Sequence, residues 1–332
     1  MIETKAYAAK GATTPVEPWS LNRRDPKPHD VQIEILYCGV CNSDLHTARN
    51  EWENTTYPVV PGHEIVGRVR NVGDHVKKYK VGDIAGIGCL VLVDSCRECD
   101  NCKDGLEQYC SNGMVGTYNS MEKDGSGLTY GGYSKQIVAH EDFVLKISDK
   151  LPLEGVAPLL CAGITTYSPL IHWKVGKGDK VGILGLGGLG HMGVKLAASF
   201  GAEVTMLSHS PSKELDAKRP GAHKFLLTSD KEKVKSMSNY FDFILDTVSA
   251  PHDYNMYLNM LNTDGVMVCV GAPSEPAHVP AFNLILQRRS LAGSLIGGLP
   301  ETQQMLDYRA EHNITSDVEV IDIKTLMKVT NV

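Results

Sequence analysis

Short apolar runs in the second part of the chain place the strongest limit on its fold. From Lys180 onward they read KVGIL, AEVTML, HKFLL, FDFIL and GVMVCV. Each run is separated from the next by a stretch long enough for a helix or a crossover. This rhythm predicts an α/β unit with a parallel sheet.

The clearest helix between these runs begins near Gly188. Apolar residues share one of its faces, and Gly201 stands where a helix would end. The residues on that face are Leu189, Met192, Leu196 and Phe200.

The first 150 residues follow a different pattern. Apolar and polar residues alternate in VQIEILY (31–37), EIVGRVR (64–70) and YSKQIV (133–138), with Gly, Pro and Asn turns between them. Such alternation is typical of half-buried strands, so this part is predicted to be mostly β with long loops. A chain of 332 residues is long enough for two domains.

The charge balance and the uncharged stretches argue against several classes of protein. Lys and Arg number 33 against 39 Asp and Glu, which gives a net charge of −6 with no long basic run. A nucleic-acid or anionic-membrane surface therefore has no electrostatic support, and a small or uncharged partner is favoured. Glu3 and Lys5 stand where a signal peptide needs apolar residues, and Pro158 and Pro169 interrupt the longest uncharged run. The expected location is the cytoplasm.

Four of the nine cysteines form the pattern C-x2-C-x2-C-x7-C. In a cytoplasmic chain, clustered thiolates indicate metal binding rather than disulfides. Four thiolates suit a fully ligated tetrahedral Zn²⁺, which would stabilise a lobe at about residues 89–115 rather than catalyse. An iron–sulfur cluster competes on spacing, but the fourth spacing and the missing proline favour zinc. The residues are Cys96, Cys99, Cys102 and Cys110.

A second set of metal-binding residue types is spread along the chain. Cys41 in GVCNSDLH, His63 in PGHE and Cys161 in LLCAGIT supply the two thiolates and one imidazole of open catalytic zinc sites. Each has an ordinary alternative, since a cysteine can be a small core residue and a histidine can hydrogen-bond in a turn. Spacing alone does not unite them.

A glycine-rich motif directly follows the apolar run VGIL. Its pattern, G-x-G-x-x-G, stands in the strand–turn–helix context of dinucleotide-binding folds. The glycines let the backbone approach a pyrophosphate, and the start of the helix offers unpaired N–H groups. The alternative is a turn with only a packing role. The motif consists of Gly185, Leu186, Gly187, Gly188, Leu189 and Gly190.

The strand after this motif indicates which nucleotide binds. NAD-binding versions carry an acidic residue at the end of this strand, where it holds the ribose 2′-hydroxyl. AEVTML leads instead into Ser208, His209 and Ser210, with Lys213 close behind. A carboxylate would repel a 2′-phosphate, whereas hydroxyl and ammonium groups can bind it. The sequence therefore predicts NADP(H).

Together the motifs resemble those of the zinc-dependent medium-chain alcohol dehydrogenases, and within them the cinnamyl alcohol dehydrogenase-like, NADP(H)-dependent aldehyde reductases. The likeness runs in order along nearly the whole chain, through GVCNSDLH, YPVVPGHEIVG, the four-cysteine pattern, GTYN, LLCAGITTYSPL, GLGGLGHMG and GSLIGG. It implies a mostly-β, GroES-like catalytic domain at 1–160 with a return at 298–332. The doubly wound parallel-sheet (Rossmann) domain, at 161–297, would bind NADP(H).

The resemblance also implies roles for individual residues. Cys41, His63 and Cys161 would bind a catalytic zinc, with Glu64 as an alternate ligand. Asp44 resembles the carboxylate that orients the histidine ligand.

A proton relay is implied just after Cys41. It would pass from the substrate oxygen through the Ser43 hydroxyl and the cofactor ribose to His46 near solvent. Without the resemblance, Ser43 would be interpreted as a helix N-cap and His46 as a surface residue. The resemblance adds contacts around the nicotinamide and its ribose, namely Thr165, Thr247, Gly271, Ser294, Leu295 and Ile296.

The implied activity is hydride transfer between NADP(H) and a primary alcohol or aldehyde, by a homodimer with two Zn²⁺ per chain that works mainly as an aldehyde reductase. One alternative is an NAD-dependent polyol or secondary-alcohol dehydrogenase, which the missing carboxylate after AEVTML disfavours. The other is a non-catalytic, crystallin-like dinucleotide-binding relative, which the retained Cys41, His63 and Cys161 disfavour.

The chain departs from such relatives in two places. The stretch CLVLVDSC, from Cys89 to Cys96, is longer than its counterpart by what looks like two residues near 90–93. Relatives also continue past the position of Val332 into a strand of the catalytic domain, so we expect a truncated sequence.

The substrate pocket is the part that the sequence specifies least. Candidate lining residues are Trp52, Tyr57, Leu295 and Ile296, each of which could equally pack in a core. Plant relatives carry a Trp near Gly116 and a Phe near Leu295, so a wider, more aliphatic pocket is expected here. Apolar pockets discriminate poorly between similar hydrocarbons, which predicts broad specificity for aromatic and medium-chain aldehydes.

The missing carboxylate generates a first testable prediction. We expect NADPH to be strongly preferred over NADH, because the serine and lysine groups after AEVTML can bind a 2′-phosphate. Steady-state kcat/KM measured with both cofactors checks this. Equal efficiency with NADH would contradict it.

Overall fold

A computed structural model describes residues 1–89, 95–273 and 275–326. The two residues thought to be inserted near 90–93 lie outside the described part. The chain divides into two compact units, one of Met1–Cys161 with the chain from Gly297 onward, the other of Ala162–Ile296. The expected boundaries differ by one residue at each junction, so Cys161 and Gly297 belong to the first unit rather than to the nucleotide-binding one.

The strands and helices are numbered along the chain. The strands are β1 (Ile2–Ala8), β2 (Glu17–Arg23), β3 (Asp30–Cys38), β4 (Ile65–Val72), β5 (Ile84–Ile87), β6 (Gln136–His140), β7 (Leu145–Lys146), β8 (Lys180–Leu184), β9 (Glu203–Ser208), β10 (Lys224–Leu227), β11 (Phe241–Asp246), β12 (Leu261–Cys269) and β13 (Ser290–Gly293). The helices are α1 (Asn42–Ala48), α2 (Asp100–Lys103), α3 (Leu153–Val156), α4 (Ala162–His172), α5 (Gly188–Ser199), α6 (Glu214–Lys218), α7 (Lys231–Ser236), α8 (Tyr254–Leu258), α9 (Phe282–Ile285) and α10 (Leu299–His312).

The first unit is built mainly of antiparallel strands, as the period-two runs predict. A five-stranded sheet has the order β6-β3-β4-β5-β7, and β1 pairs with β2 beside it. The inward-facing side chains of β3 and β4, among them Val31, Ile33 and Ile65, are fully buried in one core. Alternation of buried and exposed positions explains the sequence pattern.

The second unit is a six-stranded parallel sheet of order β10-β9-β8-β11-β12-β13. Numbered from β8, this is the order 3-2-1-4-5-6 of doubly wound dinucleotide-binding folds. The predicted α/β fold class is thereby confirmed, and all five apolar runs are strands. The strands β1, β2, β5, β7 and β13 were not predicted. No helix in the described ranges is long and apolar enough to cross a membrane.

The turn between β8 and α5 is specified by its glycines. Gly185 has a φ of +89°, which favours glycine, and a Cβ on Gly190 would lie 1.8 Å from the Gly185 carbonyl oxygen. At Gly187, by contrast, a Cβ would meet no heavy atom within 4 Å. Close packing against the Gly185 carbonyl therefore requires glycine at position 190. Position 187 is exposed and has room for a side chain.

These two glycines form a matched pair for a stability test. Gly190→Ala should lower the free energy of unfolding by about 1–3 kcal/mol, because the added methyl forces the turn apart. Gly187→Ala should leave it nearly unchanged. Thermal or urea unfolding measures both, and equal stability of the two variants would contradict this account of the turn.

Candidate active site and cofactor site

Sheet register brings the predicted catalytic ligands together within the first unit. Cys38 at the end of β3 pairs with Ile65 at the start of β4. Cys41, three residues past β3, and His63, two residues before β4, therefore lie at the same end of the sheet. Cys161 reaches this point from the short 3₁₀ helix Ala157–Leu160.

The donor atoms of this group are close enough to share one ion. One ligand atom from each of Cys41, His63, Glu64 and Cys161 lies within 4.8 Å of all the others, and the Cys41 and Cys161 Sγ atoms are 3.9 Å apart. Two sulfurs bound to one tetrahedral Zn²⁺ at ~2.3 Å would be about 3.8 Å apart. The sulfur spacing therefore fits a zinc ion.

His63 is oriented for metal binding by Asp44. Its Nδ1 lies 3.2 Å from Asp44 Oδ1, so its Nδ1 proton is held by the carboxylate. The Nε2 atom is buried without a hydrogen-bond partner. A buried imidazole nitrogen in this state is costly unless a cation or donor occupies the space before it, which supports the metal assignment.

Asp44 is itself held by several donors. The backbone N–H groups of Cys41 and Gly62 donate to its oxygens at 3.0 and 2.9 Å, and the Tyr133 hydroxyl donates at 3.1 Å. Burial alone would raise the pKa of Asp44, but the charge of His63 and these backbone hydrogen bonds lower it below its usual value. Asp44 is therefore an ionised carboxylate inside the protein.

Among the candidate metal ligands, by contrast, the pKa values of Glu64 and Cys41 are raised. Burial, with the Cys41 thiol beside it, raises the pKa of Glu64 well above its usual value. The hydrogen bond to Cys161, together with burial, raises the pKa of Cys41. Several groups that become anionic share one buried space, so a divalent cation would relieve their mutual repulsion and favour their ionised forms.

The predicted relay residues both lie on α1. Cys41, not Ser43, is the N-cap, and the Cys41 thiol donates to Ser43 Oγ at 3.6 Å. His46 follows one turn later, and its Nδ1 hydrogen-bonds the Glu51 carboxylate. Glu51 was not predicted as a partner of the site, and its contact depends on the turn that follows α1.

The second metal group is the four-cysteine cluster. Its Sγ atoms all lie within 4.8 Å of one another, and Cys96 and Cys102 are 3.9 Å apart. Backbone hydrogen bonds, from Ser111 and Cys102 in particular, lower the pKa of Cys99 to about 6. A closed set of four thiolates leaves no position for a substrate, which fits a structural zinc.

Apart from Ser43, which lies in the first unit, the glycine motif and the other predicted cofactor contacts lie in the second unit, mostly at the carboxyl ends of its parallel strands. Ligands of doubly wound sheets bind at this edge. The motif follows β8. Ser208 is the last residue of β9, and His209 follows it. Thr247, Gly271 and Ser294 to Ile296 follow β11, β12 and β13, respectively, whereas Thr165 lies buried in α4.

The region after β9 is rich in hydroxyl groups. The Ser210 N–H donates to Ser208 Oγ at 3.2 Å, and the Ser210 and Ser212 hydroxyls are 2.9 Å apart. Lys213 follows in the chain, and its exposed ammonium lies 3.7 Å from the Asp216 carboxylate. Ser212 was not predicted, although its hydroxyl joins the same group. These donors fit a phosphate better than a neutral ribose hydroxyl.

Two candidate pocket residues flank the end of α1. Trp52 is exposed, with its ring 5.2 Å from the His46 ring, and the Tyr57 hydroxyl donates to the Ala48 carbonyl at 2.8 Å. Leu295 is exposed and Ile296 half-buried. Their role as lining residues stays a prediction.

Comparisons with known proteins agree with both halves of the site. The family model described as "Alcohol dehydrogenase GroES-like domain" matches residues 27–149, and "Zinc-binding dehydrogenase" matches residues 188–311. The chain is 55% identical to NADP-dependent alcohol dehydrogenase C 1 of Mycolicibacterium smegmatis, over 97% of this chain and 91% of that one. It is 54% identical to aldehyde reductase YahK of Escherichia coli, over 96% and 91%. A cinnamyl alcohol dehydrogenase from Sorghum bicolor has a similar structure, with a TM-score of 0.96, 43% identity and coverage of 99% and 94%.

The four-cysteine group can be tested apart from catalysis. Cys99→Ala should remove one zinc per chain and lower the melting temperature, because structural zinc contributes directly to folding stability. Cys269→Ala, which removes a half-buried thiol outside both metal groups, is the control. Metal analysis and thermal unfolding measure the two effects. Unchanged zinc content in Cys99→Ala would show that the assignment is wrong.

Proposed function

Because the chain belongs to the zinc-binding alcohol dehydrogenases, we propose that it works mainly as a reductase of aromatic and medium-chain aldehydes. It is a zinc-dependent oxidoreductase that transfers a hydride between NADP(H) and an alcohol or aldehyde. The observation that carries this conclusion is the group of half-buried Cys41 with buried His63 and Cys161, in which His63 Nε2 has no hydrogen-bond partner. Three protein ligands leave one position for a substrate oxygen.

Bound Zn²⁺ would supply Lewis-acid polarisation of the substrate carbonyl, and bound NADPH would supply the hydride. Cys41, His63 and Cys161 would hold the metal, and Asp44 fixes the imidazole so that Nε2 faces it. Because Asp44 is buried and ionised, it also adds negative charge behind the histidine and strengthens it as a ligand.

The chain's own groups would deliver the proton that the reduced oxygen needs. Ser43 Oγ is adjacent to Cys41, and His46 stands one turn further along α1. The Glu51 carboxylate hydrogen-bonds His46 Nδ1 and so holds the orientation of the imidazole ring. We propose Ser43 and His46 as the relay, with Glu51 as the residue that positions His46.

Cofactor choice follows from the residues after β9. Ser208, Ser210 and Lys213 are proposed to bind the 2′-phosphate of NADPH, with Ser212 hydrogen-bonded to Ser210. No carboxylate ends this strand, which disfavours an NAD-dependent polyol dehydrogenase. The glycines between β8 and α5 are proposed to approach the pyrophosphate at the start of the 12-residue helix α5.

We also propose that the enzyme is a cytoplasmic homodimer. All nine cysteines are free thiols, which suits a reducing compartment. The dimer rests on the family resemblance, and sedimentation of the purified protein would test it.

The proposed activity is tested by NADPH oxidation against a panel of aromatic and aliphatic aldehydes, with and without a zinc chelator. We expect turnover of several members of both classes and loss of turnover after chelation, because the substrate carbonyl needs the Lewis acid. Turnover that survives removal of both zinc ions would contradict the mechanism.

Single ligand variants separate chemistry from cofactor binding. Cys41→Ala and Cys161→Ala should reduce aldehyde turnover to background, yet bind NADPH with nearly unchanged Kd, since the glycine motif belongs to the other unit. Fluorescence titration with NADPH provides the second measurement. Full activity in either variant would refute the catalytic assignment.

A further inference from the structure

The loop that follows β11 packs against two of the glycines proposed to face the cofactor. The Thr247 hydroxyl donates to the Leu184 carbonyl at 2.7 Å and contacts the Gly185 carbonyl at 3.2 Å. A Cβ on Gly185 would lie 2.8 Å from Val248 Cγ2, and a Cβ on Gly271 would lie 2.4 Å from the Val248 carbonyl oxygen. Thr247 and Val248 therefore occupy the space between the first glycine of the motif and Gly271.

This loop is tied back to the end of its own strand. Asp246, the last residue of β11, is fully buried, and its Oδ1 accepts a hydrogen bond from the Val248 N–H at 3.0 Å. Its Oδ2 lies 3.0 Å from Nε2 of His252, which stands four residues further along the loop. One carboxyl group therefore holds the loop at both its start and its end.

The His252 ring is held in place by aromatic packing. It stacks on the Tyr254 ring with 4.5 Å between centroids, and the Tyr257 ring meets it edge-on at 5.8 Å. Both tyrosines are buried. Packing against these rings holds the imidazole where it reaches Asp246.

The two nitrogens of His252 have different partners, which determines where its protons lie. Nδ1 lies 2.8 Å from the Ala250 carbonyl oxygen, and a carbonyl oxygen can only accept, so Nδ1 carries a proton. The contact between Nε2 and Asp246 Oδ2 then needs one further proton, which the two atoms share. Burial raises the pKa of Asp246, which favours retention of that proton by the pair.

We propose that the Asp246–His252 pair positions the loop for NADP(H), so that His252 contributes to cofactor affinity through Asp246 and Thr247. The inference rests on the proposed cofactor site, in which Thr247 and Gly271 are contacts. A loop already held in its bound form loses little conformational entropy when the cofactor binds, whereas a loose loop must be ordered at a cost in affinity. His252 is thus a positioning residue.

Three variants separate the hydrogen bond from the ring packing. His252→Phe keeps a ring that can stack on Tyr254 but removes the nitrogen that reaches Asp246. His252→Gln keeps an N–H donor for Asp246. Asp246→Asn keeps an Oδ1 acceptor for Val248 and offers an Nδ2 donor to the neutral imidazole, so it needs no shared proton.

We expect His252→Phe to weaken NADPH binding about tenfold, which corresponds to about 1.4 kcal/mol. The KM for NADPH should rise accordingly, while kcat at saturating NADPH stays near the wild-type value. His252→Gln and Asp246→Asn should keep most of the affinity. Fluorescence titration of the full-length protein with NADPH gives Kd, and steady-state kinetics with an aldehyde that the wild type reduces gives KM and kcat.

His29→Phe is the matched control, because His29 Nδ1 also hydrogen-bonds a carboxylate, that of Glu141, but in the first unit. It should bind NADPH like the wild type.

Unchanged NADPH affinity in His252→Phe would overturn the proposal. A lower kcat and melting temperature at an unchanged KM for NADPH would also overturn it, since a purely structural role has that effect. An equally large loss of affinity in His252→Gln and Asp246→Asn would do the same, because the hydrogen bond would then not be the cause. If the wild type itself binds no NADPH, the proposed cofactor site is wrong, and this inference with it.

A second comparison covers the case in which His252→Phe leaves Asp246 as an unpaired buried charge and fails to fold. His252→Phe is then combined with Asp246→Asn, which carries no such charge, and the NADPH Kd is compared with that of Asp246→Asn alone. We expect the double variant to bind NADPH about tenfold more weakly. Equal Kd values would overturn the proposal.

Discussion

The contact between Asp44 and His63 is the interaction on which the rest of the site depends. A buried carboxylate is stable only if donors satisfy it, and here backbone N–H groups, a tyrosine hydroxyl and the imidazole do so. These donors come from α1, from the segment before β4 and from the segment before β6. One ionised side chain therefore ties three parts of the first unit together and sets the direction of His63 Nε2.

The features that the sequence predicts are those that depend on residues close together along the chain. The apolar runs, the glycine motif and the four-cysteine pattern are local, and five of the parallel strands and the four-cysteine group follow from them. The strands β1, β2, β5, β7 and β13 carry no such pattern, and β5 and β7 have only four and two residues. β1 and β2 mix polar with apolar residues because only some of their side chains are buried, and β13 is a four-residue edge strand.

The spacing of residues in the sequence alone did not predict that the catalytic metal ligands come together. Cys41, His63 and Cys161 are separated by long stretches, and only the family resemblance joined them before the structure did. The resemblance did not extend to Glu51 or Ser212 as partners of the site. Their contacts arise from a turn after α1 and a hydroxyl pair after β9. Both depend on the conformation of a short loop, which has no periodic signal in the sequence.

The two metal groups differ in how their thiolates are stabilised, and that difference explains how one chain can hold zinc for two purposes. In the four-cysteine group, backbone N–H groups donate to sulfur, as from Cys99 to Cys96 at 3.3 Å and from Cys96 to Cys110 at 3.4 Å. Backbone donors, that of Glu98 first, lower the pKa of Cys96, whereas burial raises the pKa of Cys102 to about 11. In the catalytic group, the hydrogen bond to Cys161 and burial raise the pKa of Cys41. These thiols would depend on a bound cation to become thiolates, because burial disfavours their charged form.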